Sequence, residues 1–227
     1  MRSVLFIHQS VGSNLISEGK MYDLSMAITP NFALSDYAQN LDLLHDNISV
    51  IPRKMGLTFP GKDTTPAAYA AIFTNTPEPE YKRIQDFALR YDMVVLKSCF
   101  PNSNIKSDEQ LETIKQQYLS IIQFFTARAN KRLIILTTPP LRRLRTSAAA
   151  ARRARQLATW LSTQNFGPNI GVFNLFDLLA NPETEKHANT LYSKYSRSWP
   201  FDSHPNAKAA QAIAPLLAQF IAARIPN

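Results

Sequence analysis

The sequence predicts an α/β domain in which a parallel sheet is covered by helices on both faces. Short apolar runs alternate with longer amphipathic stretches from one end of the chain to the other, the order that builds strand–helix–strand units. The runs are apolar at consecutive positions, as strands must be when both of their faces are buried. No linker separates two halves of the 227 residues, so residues 1–227 are read as one domain.

Each element follows from its own pattern. Residues 4–8 (Val-Leu-Phe-Ile-His) form the first strand candidate, and residues 48–51 a shorter second one. The stretch 52–79 holds Pro52, Pro60, Pro66, Pro77 and Pro79 with Gly56 and Gly61. It reads as a long loop, a feature that inside a domain is functional or disordered. A helical pattern over 80–91 leads into a strand at 93–98, and another over 108–129 leads into a strand at 133–137. Ala148 to Ala151 with Leu157, Ala158 and Leu161 favour a helix over 147–163, which precedes a strand at 172–175. In the last stretch, 206–223, Ala210, Ile213, Leu217, Phe220 and Ile221 recur at three- and four-residue spacings, a helix with one apolar face.

Composition narrows the class. Apolar residues make up 45% and charged residues 19%, which suits a folded domain and not a disordered chain. Cys99 is the single cysteine, so neither an intrachain disulfide nor a cysteine-built zinc site can form. His8 and His204 have no further ligands at metal spacing nearby, and no metal or other cofactor is expected. The apolar runs fall far short of the roughly 20 residues of a membrane span, and no signal-peptide pattern opens the chain. A soluble protein is expected, in the cytoplasm, with secretion through a removed signal left open.

The net charge is +8, and its distribution says more than its sum. Arg142, Arg143, Arg145, Arg152, Arg153 and Arg155 cluster with no acid between 142 and 155. On a helix, Arg152 and Arg155 share a face. The segment is either a solvated surface or a site for an anionic ligand. Nucleic acid is disfavoured, because no aromatic residues interleave with the arginines.

Ligands of open parallel sheets sit beyond the carboxyl ends of the strands. The residues there are His8-Gln9-Ser10, then Cys99 to Asn104, then Thr137 to Pro140, and finally Asp202-Ser203-His204 ahead of the last helix. A serine, a histidine and an aspartate are what acyl transfer needs: a hydroxyl activated by an imidazole that a carboxylate orients, with donors for the oxyanion. Each also has a plainer use. Ser10 and Asp202 suit helix caps, His204 an ordinary loop histidine, and Asn102 and Asn104 turn formers. Cys99 reads as a buried strand-end thiol, and His45 and His187 as surface residues. Phe59, Tyr69, Tyr195 and Trp199 offer rings for sugar stacking or for packing.

Along nearly its whole length the chain resembles the SGNH (GDSL-type) hydrolase superfamily, in a divergent branch. Val4-Leu5-Phe6-Ile7-His8-Gln9-Ser10 is similar to its first block, a strand ending in the nucleophilic serine. Asp92 to Asn104 is similar to its third strand and asparagine-bearing loop, and Asp202-Ser203-His204-Pro205-Asn206 to its fifth block. Where the family reads Gly-Asp-Ser, this chain has His8-Gln9-Ser10. Where the family's Asp stands three residues before His, this chain has Phe201, and Asp202 stands two before, an offset the loop must compensate.

The resemblance implies a flavodoxin-like, three-layer α/β/α fold with a five-stranded parallel sheet, and metal-free hydrolysis of esters, often acyl groups on carbohydrates or lipids. By position it implies Ser10 as nucleophile, His204 as general base and Asp202 as its orienting carboxylate. The oxyanion hole would comprise the Ser10 N–H, an N–H near Gly56 and the Asn102 side chain. Trp199, Arg152 and Arg155 are the candidate substrate-binding residues. The leading expectation is a serine esterase acting on a small-molecule or carbohydrate ester. The alternative is a protein that kept the fold and binds a glycan or an anion without turnover.

Overall fold

The computed structural model of the chain describes residues 2–8, 10–21, 32–36 and 64–225. Strands β1 (Arg2–Ile7), β3 (Met93–Lys97), β4 (Arg132–Leu136) and β5 (Ile170–Phe173) form the body of a parallel sheet. A backbone segment, β2 (Phe32–Asp36), pairs in parallel with the other side of β1, so the order runs β2-β1-β3-β4-β5. The helices are α1 (Val11–Ser17), α2 (Pro66–Ile72), α3 (Pro79–Ala88), α4 (Asp108–Thr126), α5 (Ala148–Thr163), α6 (Leu175–Leu179) and α7 (Ala207–Ala222).

Alternation along the strands sorts the core into two layers. Leu5, Ile7, Val94, Leu96, Leu133 and Ile135 face the helices of one side, where Tyr69, Ile72, Tyr118, Phe125 and Leu157 fill the space. Val4, Phe6, Met93, Val95, Ile134 and Leu136 face the other, against Leu15 of α1 and Ile213, Leu217 and Ile221 of α7. This is why the strands read as unbroken apolar runs. Gly19 lets the end of α1 touch α7, since a Cβ there would fall 2.6 Å from Ala214 Cβ and 2.8 Å from the Ala210 carbonyl. Among the described residues no helix is long and apolar enough to cross a membrane.

Three expectations change. The strand expected at 172–175 runs Ile170–Phe173, because Asn174 caps helix α6 and Leu175 opens it. The stretch 52–79 is not all loop: Pro66 to Ile72 is helix α2, with Pro66 in its first turn and the Thr65 hydroxyl accepting from Ala68 N–H at 3.1 Å. Proline is suited to that position because the N–H it lacks has no helical partner there. The second strand in chain order is Phe32–Asp36, and the expected strand at 48–51 lies outside the described residues.

Candidate active site

Ser10 stands between β1 and α1 with φ 59° and ψ −100°. A positive φ costs a residue with a side chain about 1–3 kcal/mol. The turn is enforced two residues on. A Cβ at Gly12 would lie 2.4 Å from His8 Cβ and Cγ. His8 is fully buried, with its ring on Phe6 at a centroid distance of 4.5 Å. Glycine at position 12 lets α1 begin directly over that ring, which turns the chain sharply at Ser10. Although Ser10 occupies the N-cap position, its hydroxyl caps no helical N–H. It is hydrogen-bonded to His204 Nε2.

His204 lies on the loop before α7. Its Nδ1 is 2.5 Å from Asp202 Oδ1, and the same oxygen accepts its backbone N–H at 2.9 Å. Asp202 therefore does not cap the last helix; Asn206 does, accepting from Ala209 N–H at 3.1 Å. Partial burial works to raise the Asp202 carboxyl, but the His204 backbone N–H, ring and charge, with Arg197, hold it below its ordinary value. An ionised Asp202 can only accept, so Nδ1 carries the proton and Nε2 is left to accept from the Ser10 hydroxyl.

Arg197 and Glu18, which sequence reasoning did not single out, tie these two pieces together, and further loop contacts support them. Arg197 donates to Glu18 Oε1 at 2.8 Å and to the Pro205 carbonyl at 3.0 Å. It thus ties the histidine loop to the end of α1. Ser203 Oγ accepts the Arg142 N–H at 3.1 Å, and the Arg142 guanidinium donates to the carbonyls of Arg197 (2.9 Å) and Trp199 (2.5 Å). Phe100, from the loop after β3, sets its ring edge-on to His204 at 5.0 Å. Ser103 donates to the Pro139 carbonyl at 2.6 Å, joining the loops after β3 and β4. The sequence signal for Arg197 was faint: one cation outside the arginine cluster, in a loop rich in Ser and aromatics.

The other candidates divide. Asn102 sits in a 3-10 turn after β3, and its amide donates to the Thr64 carbonyl at 3.4 Å. Asn104 is turned away to accept from the Thr146 hydroxyl at 3.2 Å. Gly56, Phe59, Gly61 and His45 lie outside the described residues. Tyr69 has no exposed surface. Its hydroxyl donates toward the carbonyls of Lys97 (3.1 Å) and Ile7 (3.4 Å), which pins the ends of β3 and β1 together. It is a packing residue. Trp199 and Phe201 are 65% and 48% exposed, and their rings lean on each other at 5.8 Å, so the histidine loop carries an aromatic rim. Lys97 is fully buried at the end of β3, and burial pulls its ammonium down to about 8.

The arginines do not act as one patch. Arg155 is spent on Asp177 and Asn189, with its guanidinium over the Phe176 ring at 5.1 Å, so it is not paired with Arg152 toward solvent. Arg153 binds Asp108 at 2.6 Å. His187 is a surface residue, but it has a partner in Arg143, 2.9 Å away. Among the described residues no three His, Cys, Asp or Glu side chains converge on a point that could hold a metal ion.

No family model and no curated protein matches the chain. The crystal structure of a candidate acylhydrolase from Bacteroides fragilis superposes with a TM-score of 0.56 at 13% identity, covering 98% of this chain and 87% of that one. The likeness establishes the shared α/β architecture, a parallel sheet with helices on both sides.

Proposed function

We propose that the chain is a serine ester hydrolase of the SGNH type. The observation that carries this is the continuous hydrogen-bond path from Ser10 Oγ through the His204 ring to Asp202. Serine and histidine come from loops at opposite ends of the chain, and neither hydroxyl nor carboxylate is used for capping.

In this reading His204 Nε2 takes the Ser10 proton as Oγ bonds to the acyl carbon. The carbonyl oxygen becomes an oxyanion, received by the Ser10 N–H and the Asn102 amide. Collapse of this intermediate breaks the bond to the alcohol, which takes the proton from His204. Water then gives a proton to His204 and attacks the acyl-enzyme, and the proton returns to Ser10 as the carboxylic acid leaves. Asp202 holds the ring in its tautomer and stabilises the imidazolium. The exposed Trp199–Phe201 pair suits an acyl chain or a sugar ring, which favours a small carbohydrate ester. The acylhydrolase description of the Bacteroides fragilis structure agrees with this reading.

The test is hydrolysis of short-chain aryl esters and acetylated saccharides by the native protein and by Ser10→Ala. Turnover in the native protein that disappears in a folded Ser10→Ala variant supports the proposal. Equal turnover in both rejects it.

A further inference from the structure

Behind the histidine loop lies a concavity of about 320 Å³ that includes neither Ser10 nor His204. Its charged lining is Arg142, Arg143, Lys186 and Arg197, with the His187 imidazole among them, against one carboxylate, Glu185. Arg197 is neutralised by Glu18 at 2.8 Å. Arg142 uses only Nη1 on the carbonyls of Arg197 and Trp199. Among the described residues nothing takes its Nε and Nη2, and no carboxylate pairs with Arg143 or Lys186. A surface cation without a counter-charge is ordinary; three around one cleft are an electrostatic sink for an anion.

The backbone beneath is built for this shape. His187 and Asn189 both hold positive φ, 68° and 66°. The His187 carbonyl is gripped by the Thr190 hydroxyl at 2.7 Å and the Asn181 amide at 3.2 Å. These bonds hold an otherwise unfavourable turn and set the imidazole beside Arg143, whose Nη1 donates to Nε2 at 2.9 Å. Desolvation, then Arg143 and Lys186, hold that imidazole below its ordinary value, so it stays neutral and accepts from Arg143.

We propose that this cleft is a binding site for an oxyanion-bearing ligand, a phosphate or sulfate monoester, gripped by the guanidinium groups of Arg142 and Arg143 and by Lys186. Arginine forks match the oxygens of such groups in pairs, and the volume exceeds that of a bare tetrahedral ion. The site is separate from the proposed esterase centre and does not depend on it. It touches that centre through Arg142, whose backbone N–H is bound by Ser203, between Asp202 and His204.

The test is calorimetric titration with inorganic phosphate and with a hexose monophosphate at constant ionic strength, repeated on variants. The expected result is saturable binding at one site that persists in Ser10→Ala. It weakens about tenfold or more in the Arg143→Gln/Lys186→Gln double variant, as loss of charge-assisted hydrogen bonds requires. It tightens in Glu185→Gln. These substitutions are at exposed positions, so folding is preserved. Tighter binding of the hexose monophosphate assigns the oxyanion to a sugar-borne ester; equal binding assigns it to the free ion. No saturable binding, a loss in Ser10→Ala, or an equal loss in the control Arg152→Gln overturns the proposal.

Discussion

Asp202 Oδ1 accepts two hydrogen bonds from one residue, the backbone N–H of His204 at 2.9 Å and its ring Nδ1 at 2.5 Å. The first bond closes a tight turn, and that turn lets a carboxylate only two residues away reach the imidazole. The short spacing is therefore met by the local geometry of the loop.

This geometry sets an expectation for Asp202→Asn. The amide cannot stabilise an imidazolium and can select the wrong tautomer, so ester turnover should fall by about 10²–10⁴-fold. The fold should persist, because the amide oxygen can still accept the His204 N–H. Steady-state kinetics and circular dichroism of the variant check both parts.

The same carboxyl governs acid behaviour. Its native pKa lies below the ordinary 3.8, so the folded state binds that proton less readily than the unfolded state. The stabilisation is complete above the unfolded value and is lost as pH falls through the lower native one. An NMR pH titration of Asp202 should show a midpoint below 3.8. A midpoint at or above that value would remove the basis for a fixed, ionised partner.

Strain at Ser10 is measurable apart from activity. Glycine adopts φ 59° without the Cβ penalty, whereas alanine keeps that penalty. Ser10→Gly should be more stable than Ser10→Ala by about 1 kcal/mol, while both lack turnover. Urea denaturation of the two variants provides the comparison.

Gly12→Ala should be damaging for the opposite reason. The new methyl would meet the buried His8 ring at 2.4 Å. Overpacking of this kind costs about 1–3 kcal/mol, and relief requires α1 to shift and carry Ser10 away from His204. A lower melting temperature together with a reduced kcat is expected; unchanged values would show that the close approach is not needed.

Lys97 offers a test of the core beneath the site. Burial lowers its pKa to about 8, so between about 8 and its ordinary 10.5 the unfolded chain binds the proton and the folded chain does not. This residue's contribution to stability should rise with pH across that window. Observation of the lysine Nζ or Cε resonance should place its midpoint near 8, and Lys97→Met should flatten the rise.

What the sequence discloses depends on whether a signal is local. Strands β1, β3 and β4 are legible because burial on both faces gives each four consecutive apolar residues, at 4–7, 93–96 and 133–136. Phe32–Asp36 is not, since only Phe32 and Leu34 carry large apolar side chains in a segment at the sheet edge. Helix α2 is hidden because Pro66 reads as a breaker until its place in the first turn is known. Ser10, Asp202 and His204 are readable as residues of strand-end loops. The Arg197–Glu18 tie is not, because it spans 179 positions and depends on how α1 meets the histidine loop. Arg155 misleads for the same reason: nothing near it in sequence announces Asp177 and Asn189 as its partners.

The central claim is that Ser10 is an activated nucleophile. The most direct measurement is intact-mass analysis after treatment with a fluorophosphonate probe, on the native protein and on Ser10→Ala. The account requires one adduct on the native protein, mapped to Ser10, and none on the variant. A folded native protein that takes up no probe, or a variant that is labelled equally, would contradict it.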